Sequence, residues 1–313
     1  MFLASGSHPD LAEDIATHLD VSIIPQTAHE FANGERFVRF DTSVRGCDAF
    51  VLNAATTPLN TWLLEQLIMV DALKRASAQH ITVILPFYPY SRQDKKHRGR
   101  EPISARLVAD LFATAGAQRI MTVDLHTAQA QGFFNGPVDH LLAQPLLAGH
   151  IRRRYADADI TVVAPDAGRV RLAEKWAELL GGRPIAFIQR RDTLHQGRSR
   201  STQVVGDVQD RLCIVVDDMI DTAATMTGAT RLLLTAGASD IIAAATHGVL
   251  SDGATDRLST SGIREVVLTN TLPIPDDTRF PQLTVLSIAP LLAKAINQVF
   301  NEGSVTSLFH GNT

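Results

Sequence analysis

The segment that decides the fold reads Leu212-Cys213-Ile214-Val215-Val216 and continues directly as Asp217-Asp218-Met219-Ile220-Asp221-Thr222-Ala223-Ala224-Thr225. Its apolar first part is rich in β-branched residues, which is typical of a buried strand in a parallel sheet. Open α/β sheets bind their ligands just beyond the carboxyl ends of such strands. The acidic and small residues that follow are therefore predicted to line an active site at one edge of a sheet.

Four other apolar runs end in polar residues in the same way, at 81–85, 120–123, 160–163 and 241–246. Stretches suited to helices follow these runs, for example at 103–115 and 170–180. Alternating strands and helices are the pattern of a mostly parallel sheet. The sequence therefore predicts an α/β fold with central sheets flanked by helices.

The length of the chain predicts two domains. At 313 residues it exceeds the roughly 100–200 residues that are usual for one domain. Glycine and proline interrupt the pattern at 134–137, before a second series of strands and helices begins. We therefore expect domains at about residues 1–145 and 146–290, followed by a C-terminal segment at about 291–313.

The composition excludes several classes of partner. The formal net charge is -4 and charged residues make up 20% of the chain, so no general attraction to nucleic acid is expected. No run approaches the ~18 consecutive apolar residues of a membrane span, and the N-terminus lacks the regions of a signal peptide. Cys47 and Cys213 are far apart in sequence, which gives no support for a disulfide framework or a thiolate metal site. We expect a cytoplasmic protein with reduced thiols.

The residues after Val216 suit a ligand that carries both a phosphate and sugar hydroxyls. Small residues before a helix let backbone N–H groups surround a phosphate, and adjacent carboxylates accept hydrogen bonds from hydroxyl groups. An ordinary acidic N-cap explains one Asp and one Thr, but not three Asp residues at this spacing. The chain contains neither G-x-x-x-x-G-K-[ST] nor G-x-G-x-x-G, which excludes the usual P-loop kinases and Rossmann dehydrogenases.

The acidic loop, residues 217–225, resembles the phosphoribosyl-binding loop of the type I phosphoribosyltransferase fold. A second segment, Asp124-Leu125-His126-Thr127-Ala128-Gln129-Ala130-Gln131-Gly132-Phe133-Phe134, is similar to the signature of the ribose-phosphate pyrophosphokinases, or PRPP synthetases. Segments 31–35, 90–96, 165–168 and 303–309 extend this resemblance over nearly the whole chain. It implies two phosphoribosyltransferase-like domains, the first on the ATP side and the second on the ribose 5-phosphate side. Residues 291–313 would pack back on the first domain.

Members of this family transfer the diphosphoryl group of Mg-ATP to O1 of ribose 5-phosphate, which gives PRPP and AMP. Such a transfer needs positioning and charge neutralisation rather than a covalent nucleophile. The resemblance implies that ATP contacts Phe31, Asn33, Glu35, Arg92, Gln93 and Asp94. It also implies that ribose 5-phosphate contacts Asp217, Asp218, Asp221, Thr222, Ala223, Ala224 and Thr225. His126 and Asp166 would lie at Mg²⁺, an ion that prefers hard oxygen ligands and water.

The resemblance also implies an assembly and its effectors. Members of the family form homohexamers that bind phosphate as an activator and ADP as an inhibitor. Ser304, Thr306 and Ser307 resemble the residues that line the regulatory phosphate pocket. We therefore expect a homohexamer with these small ligands as partners, and neither nucleic acid nor a membrane.

Two positions depart from the family pattern. Family members carry a catalytic lysine after the strand equivalent to 185–188, but here the chain reads Gln189-Arg190-Arg191-Asp192, and no lysine occurs between Lys175 and Lys294. Arg190 and Arg191 are therefore the candidate catalytic cations, although a guanidinium is broader and more rigid than an ammonium. In addition, Ala224 replaces the usual glycine of the phosphate loop, and a positive φ at that position would cost about 1 kcal/mol.

The departures leave two alternatives to an active synthetase. One is a catalytically weak homologue that regulates a true synthetase, which the missing lysine supports. The other is a phosphoribosyltransferase that consumes PRPP, and segments 31–35 and 92–94 speak against it. Release of AMP from ATP, measured with and without ribose 5-phosphate, discriminates among the three.

Overall fold

The computed structural model describes residues 1–54, 57–193 and 199–309. Its strands, in chain order, are β1 (Phe2–Ser5), β2 (Gln26–Glu30), β3 (Arg36–Phe40), β4 (Asp48–Leu52), β5 (His80–Leu85), β6 (Arg119–Val123), β7 (Val138–Leu141), β8 (Ile160–Ala164), β9 (Ile185–Thr193), β10 (Ser199–Val205), β11 (Leu212–Ile220), β12 (Asp240–Gly248), β13 (Glu265–Thr269) and β14 (Leu283–Leu286). Its α-helices are α1 (Pro9–Leu19), α2 (Leu59–Arg75), α3 (Ser104–Ala115), α4 (Gln144–Arg154), α5 (Val170–Leu179), α6 (Ala224–Thr235), α7 (Ala254–Ser259) and α8 (Ala289–Phe300).

The chain divides into two compact units. The first comprises Met1–Leu142, Thr271–Pro273 and Ser287–Thr313, and the second comprises Ala143–Asn270 and Ile274–Leu286. Helix α8 therefore belongs to the first unit, where it packs against α1. Within the described residues, no helix is long and apolar enough to cross a bilayer.

The first unit is built on a five-stranded sheet in the order β1-β4-β5-β6-β7, with all neighbours parallel. Val83, Leu85 and Ile120 are buried in one hydrophobic core with residues of α2 and α3. A separate antiparallel hairpin, β2–β3, lies against α2. The carboxyl ends of β5 and β6 thus lie side by side, as the strand pattern predicts.

The second unit is built on a seven-stranded sheet in the order β10-β9-β8-β11-β12-β13-β14. Strand β11 is central and pairs in parallel with β8 and β12. Parallel pairing brings the carboxyl ends of these three strands to one edge of the sheet, where ligands bind in such folds. The predicted α/β fold with parallel sheets and flanking helices is confirmed.

The five apolar runs are all strands. Runs 81–85, 120–123, 160–163 and 241–246 fall in β5, β6, β8 and β12. Almost every residue of these runs is buried, and strands that are covered on both faces need apolar side chains at consecutive positions. The predicted helices at 103–115 and 170–180 correspond to α3 and α5.

One polar stretch has a different structure from the loop that its composition predicts. The polar composition of residues 189–203 favours a loop, but the backbone continues β9 to Thr193 and resumes at Ser199 as the antiparallel β10. Residues 194–198 lie outside the described part of the chain. An antiparallel edge pair is held by backbone hydrogen bonds, which polar residues form as well as apolar ones, so composition alone does not reveal it.

A buried carboxylate, Glu265, joins β13 to β14 and α4. Thr284 Oγ1 and Tyr155 Oη each donate to it at 2.6 Å, while His150 Nε2 lies 3.1 Å and Arg154 Nε 3.2 Å away. Burial acts to raise the pKa of Glu265, but these hydrogen bonds and the charge of Arg154 outweigh burial and lower the pKa. The ionised group therefore stabilises the fold above the ordinary carboxyl pKa, and this contribution is lost as the pH falls through the lowered value.

Candidate active site

Asp217 and Asp218, called the carboxylate pair below, lie within β11 rather than beyond it. The strand continues to Ile220, so the pair sits where the apolar run ends and the edge of the sheet begins. Asp218 is buried, and its backbone N–H donates to Asp217 Oδ1 at 2.9 Å. The strand thus holds two acidic side chains at fixed positions near the predicted ligand site.

Arg169 bridges the carboxylate pair. Its Nε lies 2.7 Å from Asp217 Oδ1, and its Nη2 lies 2.6 Å from Asp218 Oδ1. Two charge-assisted hydrogen bonds from one planar guanidinium orient both carboxylates. Sequence reasoning missed this residue, although it follows Asp166 in the turn after β8, which is the parallel neighbour of β11.

The environment of the pair shifts its protonation equilibrium. Burial, followed by a hydrogen bond and the charge of Asp218, raises the pKa of Asp217, while the charge of Arg169 opposes the rise. A carboxylate offers about four acceptor positions on its two oxygen atoms, which suits hydroxyl groups as well as a guanidinium. The pair can therefore accept hydrogen bonds from the hydroxyl groups of a sugar.

The phosphate loop, residues 221–225, leads into α6. The first turn of a helix presents N–H groups without intrahelical acceptors, and the helix dipole favours an anion there. Ala223 has the left-handed conformation, with φ 63°, and α6 begins at Ala224. The positive φ considered for Ala224 thus falls on Ala223 instead, where a side chain costs roughly 1–2 kcal/mol.

Two residues after β12 hold the phosphate loop in place. Ser251 donates its hydroxyl to Asp221 Oδ1, and its backbone N–H donates to Asp221 O at 3.1 Å. Arg257 Nε donates to Thr222 O at 2.9 Å. The loop is therefore shaped by the protein before a ligand arrives, and Arg257 adds a positive charge beside it.

In the first unit, the turn between β2 and β3 presents Phe31, Asn33 and Glu35. Phe31 N donates to Glu35 O at 2.8 Å, Glu35 N donates to Asn33 Oδ1 at 3.2 Å, and Gly34 supplies a positive φ of 89°. Phe31 is 47% exposed. An ordered turn with an exposed aromatic ring can stack on a flat heterocycle.

The segments that follow β5 and β6 meet at one edge of the first sheet. Thr127 Oγ1, next to His126, donates to Asp94 Oδ2 at 2.6 Å. Gln93 is fixed through Ser104 Oγ, which donates to its side chain at 2.7 Å. The structure therefore brings His126 near the residues that follow Arg92. This proximity is expected because β5 and β6 are parallel neighbours whose carboxyl ends lie side by side.

His126 and Asp166 lie in different units. Asp166 Oδ1 accepts a hydrogen bond from Gly168 N at 2.8 Å, which leaves further acceptor positions on its carboxylate. No group of three or more His, Cys, Asp or Glu side chains suited to a metal occurs among the residues that the structure describes. The carboxylate of Asp166 offers the hard oxygen atoms that Mg²⁺ prefers, and this ion is usually bound by one or two protein groups together with water and substrate phosphates.

The remaining predicted residues occupy two further places. The backbone of Arg190 and Arg191 lies on β9, opposite Thr202 and Ser201 of β10. Ser304, Thr306 and Ser307 lie in or beside a 3₁₀ turn, Val305–Phe309, which is anchored by the buried ring of Phe309. Ser307 Oγ donates to Ser304 O at 2.6 Å.

Two family models match the chain. Residues 1–116 match the N-terminal domain of ribose phosphate pyrophosphokinase, and residues 189–310 match the phosphoribosyl synthetase-associated domain. The ribose-phosphate pyrophosphokinase of Mycobacterium tuberculosis is 63% identical over all 313 residues, which cover 96% of the relative. That of Corynebacterium glutamicum is 58% identical over 312 residues, or 99% of this chain and 96% of the relative.

A solved structure agrees with these relatives. The crystal structure of phosphoribosylpyrophosphate synthetase from Mycobacterium smegmatis shares 64% sequence identity and superposes with a TM-score of 0.93. The match covers 96% of this chain and 99% of that chain. The likeness therefore extends over both units rather than over the acidic loop alone.

Proposed function

We propose residue roles from one premise: this chain belongs to the ribose-phosphate pyrophosphokinase family and is an enzyme that forms PRPP and AMP from ATP and ribose 5-phosphate. The regulatory and phosphoribosyltransferase alternatives are not favoured, since the relatives that match the full length are synthetases. Enzymes of this family generally depend on Mg²⁺.

We assign ribose 5-phosphate to the second unit. Asp217 and Asp218 accept hydrogen bonds from the ribose hydroxyls, while Asp221, Thr222, Ala223, Ala224 and Thr225 surround the 5-phosphate. The observation that carries this proposal is the bridged carboxylate pair near the end of β11, the strand that leads directly into a preshaped loop at the N-terminus of α6. A sugar phosphate needs acceptors for its hydroxyl groups and backbone N–H donors for its phosphate, close to each other.

We assign ATP to the first unit. Phe31 stacks on the adenine, Asn33 and Glu35 frame its edge, and Arg92, Gln93 and Asp94 contact the nucleotide and its phosphates. The ordered turn and the exposed ring of Phe31 support this assignment. His126 and Asp166 would hold Mg²⁺, which supplies neutralisation of phosphate charge when it is bound.

The transfer itself is a displacement at the β-phosphorus of ATP. The O1 hydroxyl of ribose 5-phosphate loses its proton to solvent as O1 bonds to this phosphorus. The bond from the β-phosphorus to the oxygen that bridges it to the α-phosphorus breaks, and AMP leaves with that oxygen. The protein contributes position and positive charge rather than a covalent nucleophile. We assign the cationic role to Arg190 and Arg191, because no lysine occurs between Lys175 and Lys294.

Substitution of His126 by Ala tests the ATP side. The variant is expected to raise the apparent KM for Mg-ATP about tenfold, the scale of one lost interaction with a charged group, and to leave the KM for ribose 5-phosphate within about twofold. Steady-state rates with each substrate varied in turn measure both constants. Equal changes in the two constants, or no change, would show that His126 has been misplaced.

The proposed assembly is a homohexamer that takes phosphate as an activator and ADP as an inhibitor, with Ser304, Thr306 and Ser307 at the phosphate pocket. Closed symmetric assemblies are usual for oligomeric enzymes. Light scattering should give a mass about six times the 34.0 kDa of the chain. Activity should rise with phosphate in the unmodified protein and less in Ser307→Ala. A monomer that is indifferent to phosphate would contradict this assignment.

A further inference from the structure

We propose that Arg36 and Glu65 are positioning residues that hold the β2–β3 hairpin against α2 and thereby set the place of the ATP-binding turn. This inference rests on the assignment of Phe31, Asn33 and Glu35 to ATP. Arg36 directly follows Glu35 in the chain, and Glu65 lies in α2. The pair is called the hairpin latch below.

The hairpin latch is a shielded ion pair. Arg36 Nε donates to Glu65 Oε2 at 2.8 Å, and Arg36 Nη2 contacts the same oxygen. The Glu65 side chain is 7% exposed and that of Arg36 is 23% exposed. The hydrogen bond to Glu65 raises the pKa of Arg36, and the low exposure of Glu65 limits screening of the pair by water and salt.

The carboxylate of Glu65 lies close to Gly6 and Asn53, which follow β1 and β4. A side chain at Gly6 would overlap Glu65 Oε1 and would lie 3.1 Å from Asn53 Oδ1. Asn53 is itself fixed, because Ser7 donates both its N–H and its hydroxyl to Asn53 Oδ1. Glu65 is therefore buried close to the ends of two strands of the main sheet, and Arg36 connects the hairpin to α2 at that place.

The two faces of the hairpin have different surroundings. Arg36 and Val38 face α2, and Val38 is buried in the core. His29 and Phe37, which pair across the strands, bring their rings within 4.8 Å of each other, and the ring of Phe31 meets that of His29 edge-on. Phe37 is 37% exposed and Phe31 is 47% exposed. The hairpin is thus attached by one face, while His29, Phe31 and Phe37 stand on the other.

Loss of the latch should affect binding of ATP rather than the chemical step. The turn is ordered by its own hydrogen bonds, such as Phe31 N to Glu35 O at 2.8 Å, so it keeps its shape when the latch is broken. What changes is its position relative to the rest of the first unit. A misplaced stacking ring weakens capture of the nucleotide, whereas the groups at the reacting phosphate lie elsewhere in the chain.

The experiment compares Arg36→Met, Arg36→Lys and Glu65→Gln with the unmodified enzyme. Titration calorimetry of Mg-ATP should show about a tenfold rise in Kd for Arg36→Met, the scale expected when a base loses a well-placed aromatic contact, and a smaller rise for Arg36→Lys. The KM for ATP should follow, while kcat and the KM for ribose 5-phosphate stay within about twofold. The double variant Arg36→Met/Glu65→Gln should lose less than the product of the two single effects.

Arg39→Met is the matched control. Arg39 lies on the same strand but on the other face, and it pairs with Asp41 at the surface. The Arg39→Met variant should bind ATP with the same Kd as the unmodified protein. Thermal melting shows whether Arg36→Met folds. If it does not, the milder variants Arg36→Lys and Glu65→Gln are compared with the unmodified enzyme in its place.

Phe31→Ala separates the two ways in which the inference can fail. If Phe31→Ala weakens ATP binding but the latch variants bind ATP normally, the latch is overturned and the ATP site stands. If Phe31→Ala also binds ATP normally, the assignment of the turn to ATP fails and the latch inference fails with it. Equal losses in kcat and in ATP affinity for the latch variants would point to general damage and would also overturn the positioning role.

Discussion

Replacement of Asp217 or Asp218 by Ala is expected to raise the KM for ribose 5-phosphate by about 10- to 150-fold. Each substitution removes a charge-assisted hydrogen bond to a ribose hydroxyl, which contributes roughly 1.5–3 kcal/mol. It also leaves the guanidinium of Arg169 with one carboxylate instead of two. Initial rates with varied ribose 5-phosphate at saturating Mg-ATP measure this change.

Asp157→Ala is the control for the carboxylate pair. Asp157 is an exposed acidic residue of the same unit, so its loss changes the net charge by the same amount without touching the proposed site. Its KM for ribose 5-phosphate should match that of the unmodified enzyme. Unchanged kinetics in both Asp217→Ala and Asp218→Ala would place the sugar elsewhere.

Arg190→Ala and Arg191→Ala are expected to lower kcat by about 10²- to 10³-fold with nearly normal KM values for both substrates. A cation that acts on charge developing in the transition state changes turnover rather than ground-state binding, and removal of one such donor costs a factor of this size. Arg190→Lys should retain or improve activity, because an ammonium is a compact charge that fits where relatives of this family place a lysine. Rapid-quench measurement of AMP formation reports the chemical step directly.

Arg153→Ala provides the comparison for loss of a positive charge. Arg153 is an exposed residue of α4 and should be kinetically silent. If both Arg190→Ala and Arg191→Ala turn over at the rate of the unmodified protein, another group must stabilise the transferring diphosphoryl group. The missing lysine would then have no replacement on β9.

Strands β5, β6, β8, β11 and β12 could be predicted because buried strands require apolar side chains at consecutive positions. Strand β11 and its neighbours are covered on both faces, so consecutive apolar residues such as Val215 and Val216 identify them directly. The edge hairpin β9–β10 could not be recognised in the same way. Its stability comes from backbone pairing, which leaves no apolar period in the sequence.

The residues that shape the site were harder to predict than those assigned to the ligands. The contacts of Arg169 with the carboxylate pair join positions far apart in sequence, and Arg36 reaches a helix that begins more than twenty residues later. Such contacts depend on which side chains the fold brings within hydrogen-bond distance. A single sequence contains no repeating pattern that identifies these pairs. The family pattern directs attention to Ala224 as a position where a positive φ would be costly, whereas the left-handed residue is Ala223, directly before α6 begins.

The formation of AMP and PRPP in the same reaction tests the central claim most directly. The purified protein, supplied with Mg²⁺ and ATP, should release AMP only when ribose 5-phosphate is present, and phosphorus NMR should show one PRPP for each AMP. Release of AMP without the sugar phosphate, or release of ADP in its place, would contradict the account. So would a protein that forms no AMP by itself but changes the rate of a separate synthetase.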